Sequence, residues 1–300
     1  MNNLNLNIAG YRICFLSAEK GPDLFLSERF RRNICDQGKS DVQIYVHNGQ
    51  ASIPKTAQRV FHAPFVEEIN GIQLRHKANF WSIWKYRDNL YVNTVFPLLT
   101  PEKNAVLKFS LDDRHWELWI EGSNKAIDPF EYPLDGLILY YLTVIHGDIL
   151  IHASGINHSG HGYIFSGVSG KGKSTMASLW EAKGARVIHD DRLIIRKKKS
   201  GYRMYNTPVY NNDTPRESAL DRIFIIEHGP ENRLTPLRGA LAVSMVMSNC
   251  IQHNWDHEIV ARLLESVTAL CNTLPIDRLS FKPDRRVTDL IIKNEQSEKS

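Results

Sequence analysis

The stretch that most constrains this chain is Ile164-Phe165-Ser166-Gly167-Val168-Ser169-Gly170-Lys171-Gly172-Lys173-Ser174-Thr175. A short apolar run meets a glycine-rich turn, and Lys-Ser-Thr opens a helical pattern. Glycine lets the backbone curl so that successive N–H groups point inward. The helix that follows turns its positive N-terminal end toward the same point. Such a loop suits an anion, most simply a phosphate. The pattern G-x-x-x-x-G-K-S is complete at Gly167, Gly172, Lys173 and Ser174. In a P-loop of this kind the lysine reaches the β- and γ-phosphates and the serine hydroxyl ligates magnesium. ATP and Mg2+ are therefore the expected ligands. The expected contact stretch is Gly167 to Thr175, including Val168, Ser169, Gly170 and Lys171, with Ser174 on the metal. A merely flexible Gly/Ser loop is the alternative, and its surroundings argue against it. Tyr163-Ile164-Phe165 reads as a strand. Met176, Ala177, Leu179 and Trp180 recur at helical spacing, and Gly184 sits where a helix ends.

A second stretch follows directly, Ala185 to Ile195, in which an apolar strand runs into Asp190-Asp191. A carboxylate at a strand end beside a P-loop can hold magnesium directly or through water. Two surface acids in a turn are the alternative.

Composition bounds the rest. Three hundred residues suggest two domains or one large one, and an apolar fraction of 42% supports a sizeable core. The formal net charge of +4 is dispersed, which gives no groove for nucleic acid. Arg196-Lys197-Lys198-Lys199 is the densest charge run and reads as a solvated hairpin tip or a contact for an acidic partner. Cys14, Cys35, Cys250 and Cys271 lack metal-type spacing and fit buried thiols in a reducing cytosol. The opening Met1 to Asn7 lacks the features of a signal peptide, and no apolar run is long enough to span a bilayer. A cytoplasmic protein with no nucleic-acid or membrane partner is the expectation.

In chain order, residues 1–128 read as a β-rich region. Tyr11–Phe15, Asp41–Val46, Phe80–Trp84 and Arg114–Ile120 alternate at period two, and Asp88-Asn89 reads as a hairpin turn. The aromatics there read as core, with a substrate groove as the alternative. His62, His76 and His115 are isolated. Asp128-Pro129-Phe130-Glu131-Tyr132-Pro133 marks the expected boundary, because two close prolines suit neither a helix interior nor a central strand. Residues 129–300 then read as the nucleotide-binding domain. Leu134–His146 is a buried helix closed by Gly147. Ile149–Ile156 is a strand, and His158–Gly162 turns the chain back into the P-loop strand. Further on, Ile223–Glu227 reads as a buried strand, Leu237–Met247 and Ile259–Cys271 as helices, and Leu279–Phe281 as a last strand. Residues 294–300 read as a frayed tail.

Residues from about 148 to 196 resemble the catalytic domain of HPr serine kinase, whose mixed α/β P-loop fold is related to that of phosphoenolpyruvate carboxykinase. The resemblance lies in Ile151-His152-Ala153, in Gly167 to Ser174, and in the run from Gly184 to Asp190-Asp191. It implies a histidine at the active site, carried over to His152. It implies that one acid of the pair is the base toward a substrate serine and the other lies by the metal; Asp190 is taken as the base and Asp191 as the metal-side acid. Thr175 stands where the family usually carries Glu, and the first half does not match the HPr enzyme. The chain therefore looks more like the shorter HPr-kinase-like proteins, some of which phosphorylate a peptide serine. In such a fold the loop Asn206–Arg216 lies near the phosphates, and Arg216 is a candidate for steadying charge on the transferring group. A surface arginine is the plainer reading of Arg216, and a core histidine that of His152.

Three functions follow as alternatives. One is an ATP-dependent kinase for a serine on a protein or peptide, either an HPr-like carrier or a peptide precursor. The second is a small-metabolite kinase or nucleotide hydrolase. The third is a non-catalytic nucleotide sensor. The complete Lys173-Ser174 and Asp190-Asp191 set speaks against the third.

Overall fold

Period-two alternation of apolar residues becomes two large sheets in the computed structural model. It describes residues 3–19, 21–63, 66–69, 72–78, 80–96, 99, 103–121, 126–209 and 213–298; side chains of 66–69, 72–78 and 298 are excluded. The chain divides into two units, Met1–Ile145 with Pro208–Thr214, and His146–Thr207 with Pro215–Ser300. Asp128–Pro133 falls within the first.

In the first unit the strands are β1 (Asn3–Ile8), β2 (Tyr11–Ser17), β3 (Val42–Asn48), β4 (Gln58–His62), β5 (Val66–Ile69), β6 (Ile72–Ala78), β7 (Trp81–Tyr86), β8 (Asn89–Val95), β9 (Asn104–Phe109) and β10 (His115–Ile120). Helix α1 is Leu134–His146. Eight strands form one sheet in the order β1-β2-β3-β10-β9-β8-β7-β4, and β5 pairs with β6 separately. The expected aromatic core is present: Phe30 and Phe130 rings lie 4.7 Å apart, and Phe109 and Tyr141 rings 4.5 Å apart. Asp128 is buried and accepts the backbone N–H groups of Ser27 and Phe130. The β7–β8 turn is Arg87-Asp88, one residue earlier than expected, because Tyr86 pairs with Asn89 and Arg87 takes φ 53°. The His76 side chain lies outside the described residues.

The second unit carries β11 (Ile149–His158), β12 (His161–Ser166), α2 (Lys173–Glu181), β13 (Arg186–His189), β14 (Arg192–Lys198), β15 (Gly201–Asn206), β16 (Glu217–Ala219), β17 (Arg222–His228), β18 (Arg233–Leu237), α3 (Gly239–Met247), α4 (His257–Thr273), β19 (Ile276–Phe281) and α5 (Arg286–Glu298). Its sheet runs β16-β15-β14-β11-β12-β17-β19-β18, with β13 also on β11. β12, β17 and β19 are mutually parallel neighbours, and the rest pair antiparallel. The result is a mixed α/β unit.

Both faces of the sheet are covered, and alternate residues choose the face. Ile164, Ile223, Ile225 and Ile276 pack with Ala242 and Val246 of α3 and Leu263, Val267 and Leu270 of α4. Tyr163, Phe165, Phe224 and Leu279 pack with Met176 and Trp180 of α2 and Val287 and Ile291 of α5. Trp180 is fully buried, so its truncation to alanine would cost about 3–5 kcal/mol. Two charged pairs are sunk in the unit: Arg222 Nε donates to Asp277 Oδ2 at 2.6 Å, and Arg196 Nε to Asp148 Oδ2 at 2.8 Å.

Two expectations are corrected here. Arg196 is not part of a solvated tip, since Asp148 draws it into the sheet; the β14–β15 turn lies beyond Lys198. The tail expected to fray from residue 294 remains helical to Glu298, because α5 lays Val287 and Ile291 on the core and Tyr163 hydrogen-bonds Glu295.

Candidate functional site

The glycine-rich loop runs from the end of β12 at Ser166 to the start of α2 at Lys173. Gly170 and Gly172 take φ of 79° and 91°, a left-handed conformation that strains any side chain. Gly172 has a second reason to be glycine: a Cβ there would stand 2.8 Å from Phe281 Cζ and 3.3 Å from His228 Cε1. His228, at the end of β17, also donates from Nε2 to the Gly170 carbonyl at 3.3 Å. The loop is therefore held from the ends of β17 and β19. As at any helix start, the first amides of α2 lack intrahelical acceptors. Lys173 is buried, and its Nζ donates to the Gly167 carbonyl at 2.9 Å. Burial lowers its pKa below the usual lysine value, and the charge of Asp191 works the other way. Val168, Ser169, Gly170, Ser174 and Thr175 are exposed, whereas Lys171 is half-buried.

The acids lie on the other side of β11. Its first half pairs with β14 and its second half with β13, so both strands share one edge of β11. Asp190-Asp191 is the bend between them. The register shifts at Gly155/Ile156, a bulge that re-aims the end of β13. The bend is fixed by backbone and side-chain bonds together. Ala153 N–H donates to the Asp191 carbonyl at 3.0 Å. The Nδ1 of buried His189 accepts the N–H groups of Asp191 at 3.0 Å and Arg192 at 3.3 Å. Nδ1 is thus the bare nitrogen of that imidazole, with the proton on Nε2.

Asp191 divides its carboxylate. Oδ1 lies 3.3 Å from His152 Nδ1, and Oδ2 accepts from Arg192 Nε at 3.2 Å. Burial opposes its ionisation, but the His152 hydrogen bond and the charges of Arg192 and His152 hold its carboxyl below the usual range. Asp190 is half-buried, and among the described residues its carboxylate has no hydrogen-bond or ion-pair partner.

Strand register brings these pieces together. Ala153 pairs with Ser166, the residue before the loop, and His152 pairs with Arg192. The Ser166 hydroxyl donates to the His152 carbonyl at 2.9 Å. His152 is thus flanked by the loop on one side and the acid bend on the other. Arg216 is half-buried and binds elsewhere on this frame: its Nε donates to the Ile188 carbonyl at 2.7 Å, two residues before the acids. Tyr210-Asn211-Asn212 of the expected phosphate-side loop lie outside the described residues.

The oxygen donors here are a serine hydroxyl and one paired carboxylate, with a second carboxylate adjoining. Among the described residues no three His, Cys, Asp or Glu side chains converge. Such a set fits a hard, octahedral cation that completes its shell with phosphate and water, as Mg2+ does. Three residues went unassigned in the sequence: His189, Arg192 and His228. His189 and Arg192 flank the acid pair, and that adjacency was the one available signal. His228 acts through a folding contact that no spacing announces.

Among the described residues no helix is long and apolar enough to cross a membrane, and all four cysteines are free thiols. No family model matches the chain. No curated protein matches it. Among solved structures it is similar to the Hpr(Ser) kinase/phosphatase from Coxiella burnetii, at 11% identity and a TM-score of 0.29, over 50% of this chain and 91% of that one. The likeness is one of partial fold at low identity, and nothing further rests on it.

Proposed function

We propose that the chain is an ATP- and magnesium-dependent phosphotransferase that transfers the γ-phosphoryl group to a serine hydroxyl on a protein or peptide. The observation that supports this reading is the position of His152, whose Nδ1 lies 3.3 Å from Asp191 Oδ1 in the acid bend and whose carbonyl accepts at 2.9 Å the hydroxyl of Ser166, the residue before the glycine-rich loop. Loop amides and Lys173 bind the triphosphate. Ser174 and Asp191 are the residues that would hold magnesium, which neutralises charge on the β- and γ-phosphates when bound. Asp190, whose oxygens are unengaged among the described residues, is the base. Its carboxylate takes the acceptor hydroxyl proton as the serine oxygen bonds to the γ-phosphorus. The bond from that phosphorus to the bridging oxygen breaks, and its electron pair leaves with ADP. His152 steadies the ionised Asp191 beside it. A serine peptide precursor or an HPr-like carrier is the acceptor class, and an ATP-supplied, reducing cytoplasm is the setting.

The test is transfer from γ-labelled ATP in the presence of magnesium to serine peptides and to an HPr-like carrier, located by mass spectrometry. Label on serine is expected. Label released only as inorganic phosphate, or found only on a small metabolite, would replace the serine assignment with the hydrolase or metabolite reading.

A further inference from the structure

We propose that Arg192 is the guanidinium that contacts the terminal phosphoryl group of the bound nucleotide, the part that sequence reasoning gave to Arg216. The inference rests on the nucleotide reading above and adds a residue to that site.

Three observations carry it. The first is donor bookkeeping. A guanidinium has five N–H donors in a planar fork that matches phosphate oxygens. Arg192 spends only Nε, on Asp191 Oδ2. Among the described residues neither of its terminal nitrogens has a partner. Its side chain is 24% exposed, so the unspent donors sit in a partly desolvated place that water still reaches.

The second is location. Arg192 and His152 are cross-strand partners, so their side chains leave the same face of the sheet. The carboxylate that Arg192 grips is also the one that attracts Lys173, the lysine the motif assigns to the β- and γ-phosphates. Across the same strands, the His152 carbonyl accepts the Ser166 hydroxyl, so one strand separates Arg192 from the strand that carries the loop.

The third is preorganisation. The Arg192 N–H is held by His189 Nδ1, and its carbonyl accepts the Thr207 hydroxyl at 3.1 Å. Its Nε is held by Asp191. Backbone and side chain are thus fixed before any ligand arrives, which is the condition for effective charge stabilisation. Arg216, by contrast, commits its Nε to a backbone carbonyl of β13 and supports the bend from outside.

A contact with the terminal phosphoryl group separates ATP from ADP. We expect Arg192→Gln to weaken MgATP binding about 10- to 100-fold, the range for losing a charge-assisted bond. MgADP affinity should stay within about twofold of wild type. Arg192→Lys keeps the charge but not the fork, and should fall between, so it carries the test if the glutamine variant fails to fold. Competition against a fluorescent nucleotide reads both constants. Equal weakening for the two nucleotides would reduce Arg192 to a positioning residue for Asp191, and unchanged affinity would remove it altogether; either result overturns the proposal while wild-type binding stands. A wild-type protein that binds neither nucleotide overturns the nucleotide reading itself, and this inference with it.

Discussion

Asp191 gives its Oδ1 to His152 Nδ1 at 3.3 Å, across two strands that meet only in the folded sheet. Its other oxygen belongs to Arg192, and among the described residues its neighbour Asp190 is left unengaged. Two adjacent carboxylates therefore have different surroundings, which suits the two roles proposed for them.

Asp190→Asn should abolish phosphoryl transfer and leave MgATP affinity within several-fold, because a base acts on the acceptor hydroxyl. Asp191→Asn should instead raise the magnesium concentration needed for half-maximal rate. Magnesium titrations of single-turnover rate on both variants check this. Exchanged phenotypes would reverse the two roles.

His152→Ala should lower the transfer rate by about one to two decades, a supporting electrostatic effect. Its ring is 44% exposed, so the melting temperature should hardly move. A normal rate with a lowered melting temperature would make it a structural histidine.

Asp191 also predicts a pH effect. Its folded pKa lies below its unfolded value, so on acidification the unfolded chain takes up the proton first. Its contribution is present above the ordinary carboxylate value of about 4 and is lost as pH falls through the lower folded pKa. The effect is small because the side chain is 36% exposed. Wild type minus Asp191→Asn stability, measured by denaturant from pH 7 to pH 3, should be flat and then shrink. A difference that grows toward acid would contradict the assignment.

Lys173→Met should abolish MgATP binding and yet raise the melting temperature at neutral pH, since burial penalises the ammonium it removes. Unaltered nucleotide turnover would exclude the loop as the working site.

Asp277→Ala removes the carboxylate paired with the buried Arg222 guanidinium and should cost about 3–5 kcal/mol. Chemical denaturation measures it; a loss under about 1 kcal/mol would mean water reaches the arginine.

How much was legible depended on how local the cause was. Gly167 to Ser174 could be read directly because loop, lysine and helix start are contiguous. The acids were legible as a strand end, though the strand proved to be the short β13, with the chain continuing at once into β14. His152 came by resemblance as an active-site histidine, and its contact with Asp191 needed β-pairing that no local spacing encodes. Arg196 was misread because its partner Asp148 lies far back in the sequence and outweighs the lysines beside it. The end of α5 was misread because its polar composition hides two core contacts and the Tyr163–Glu295 bond. Arg192 carried no signal beyond its place next to the acids, since its meaning is in which donors remain unspent.

β13 and β14 are stitched to the same edge of β11, with Asp190-Asp191 between them. That arrangement fixes length more tightly than identity. A side chain in the bend can change without disturbing either ladder. An inserted or deleted residue must shift β13 or β14 by one, which turns every side chain of that strand to the opposite face. Across divergent descendants of this chain, the acids could be traded for other chemistry, yet the two-residue gap would endure. The two ladders constrain the spacing more than they constrain the aspartates.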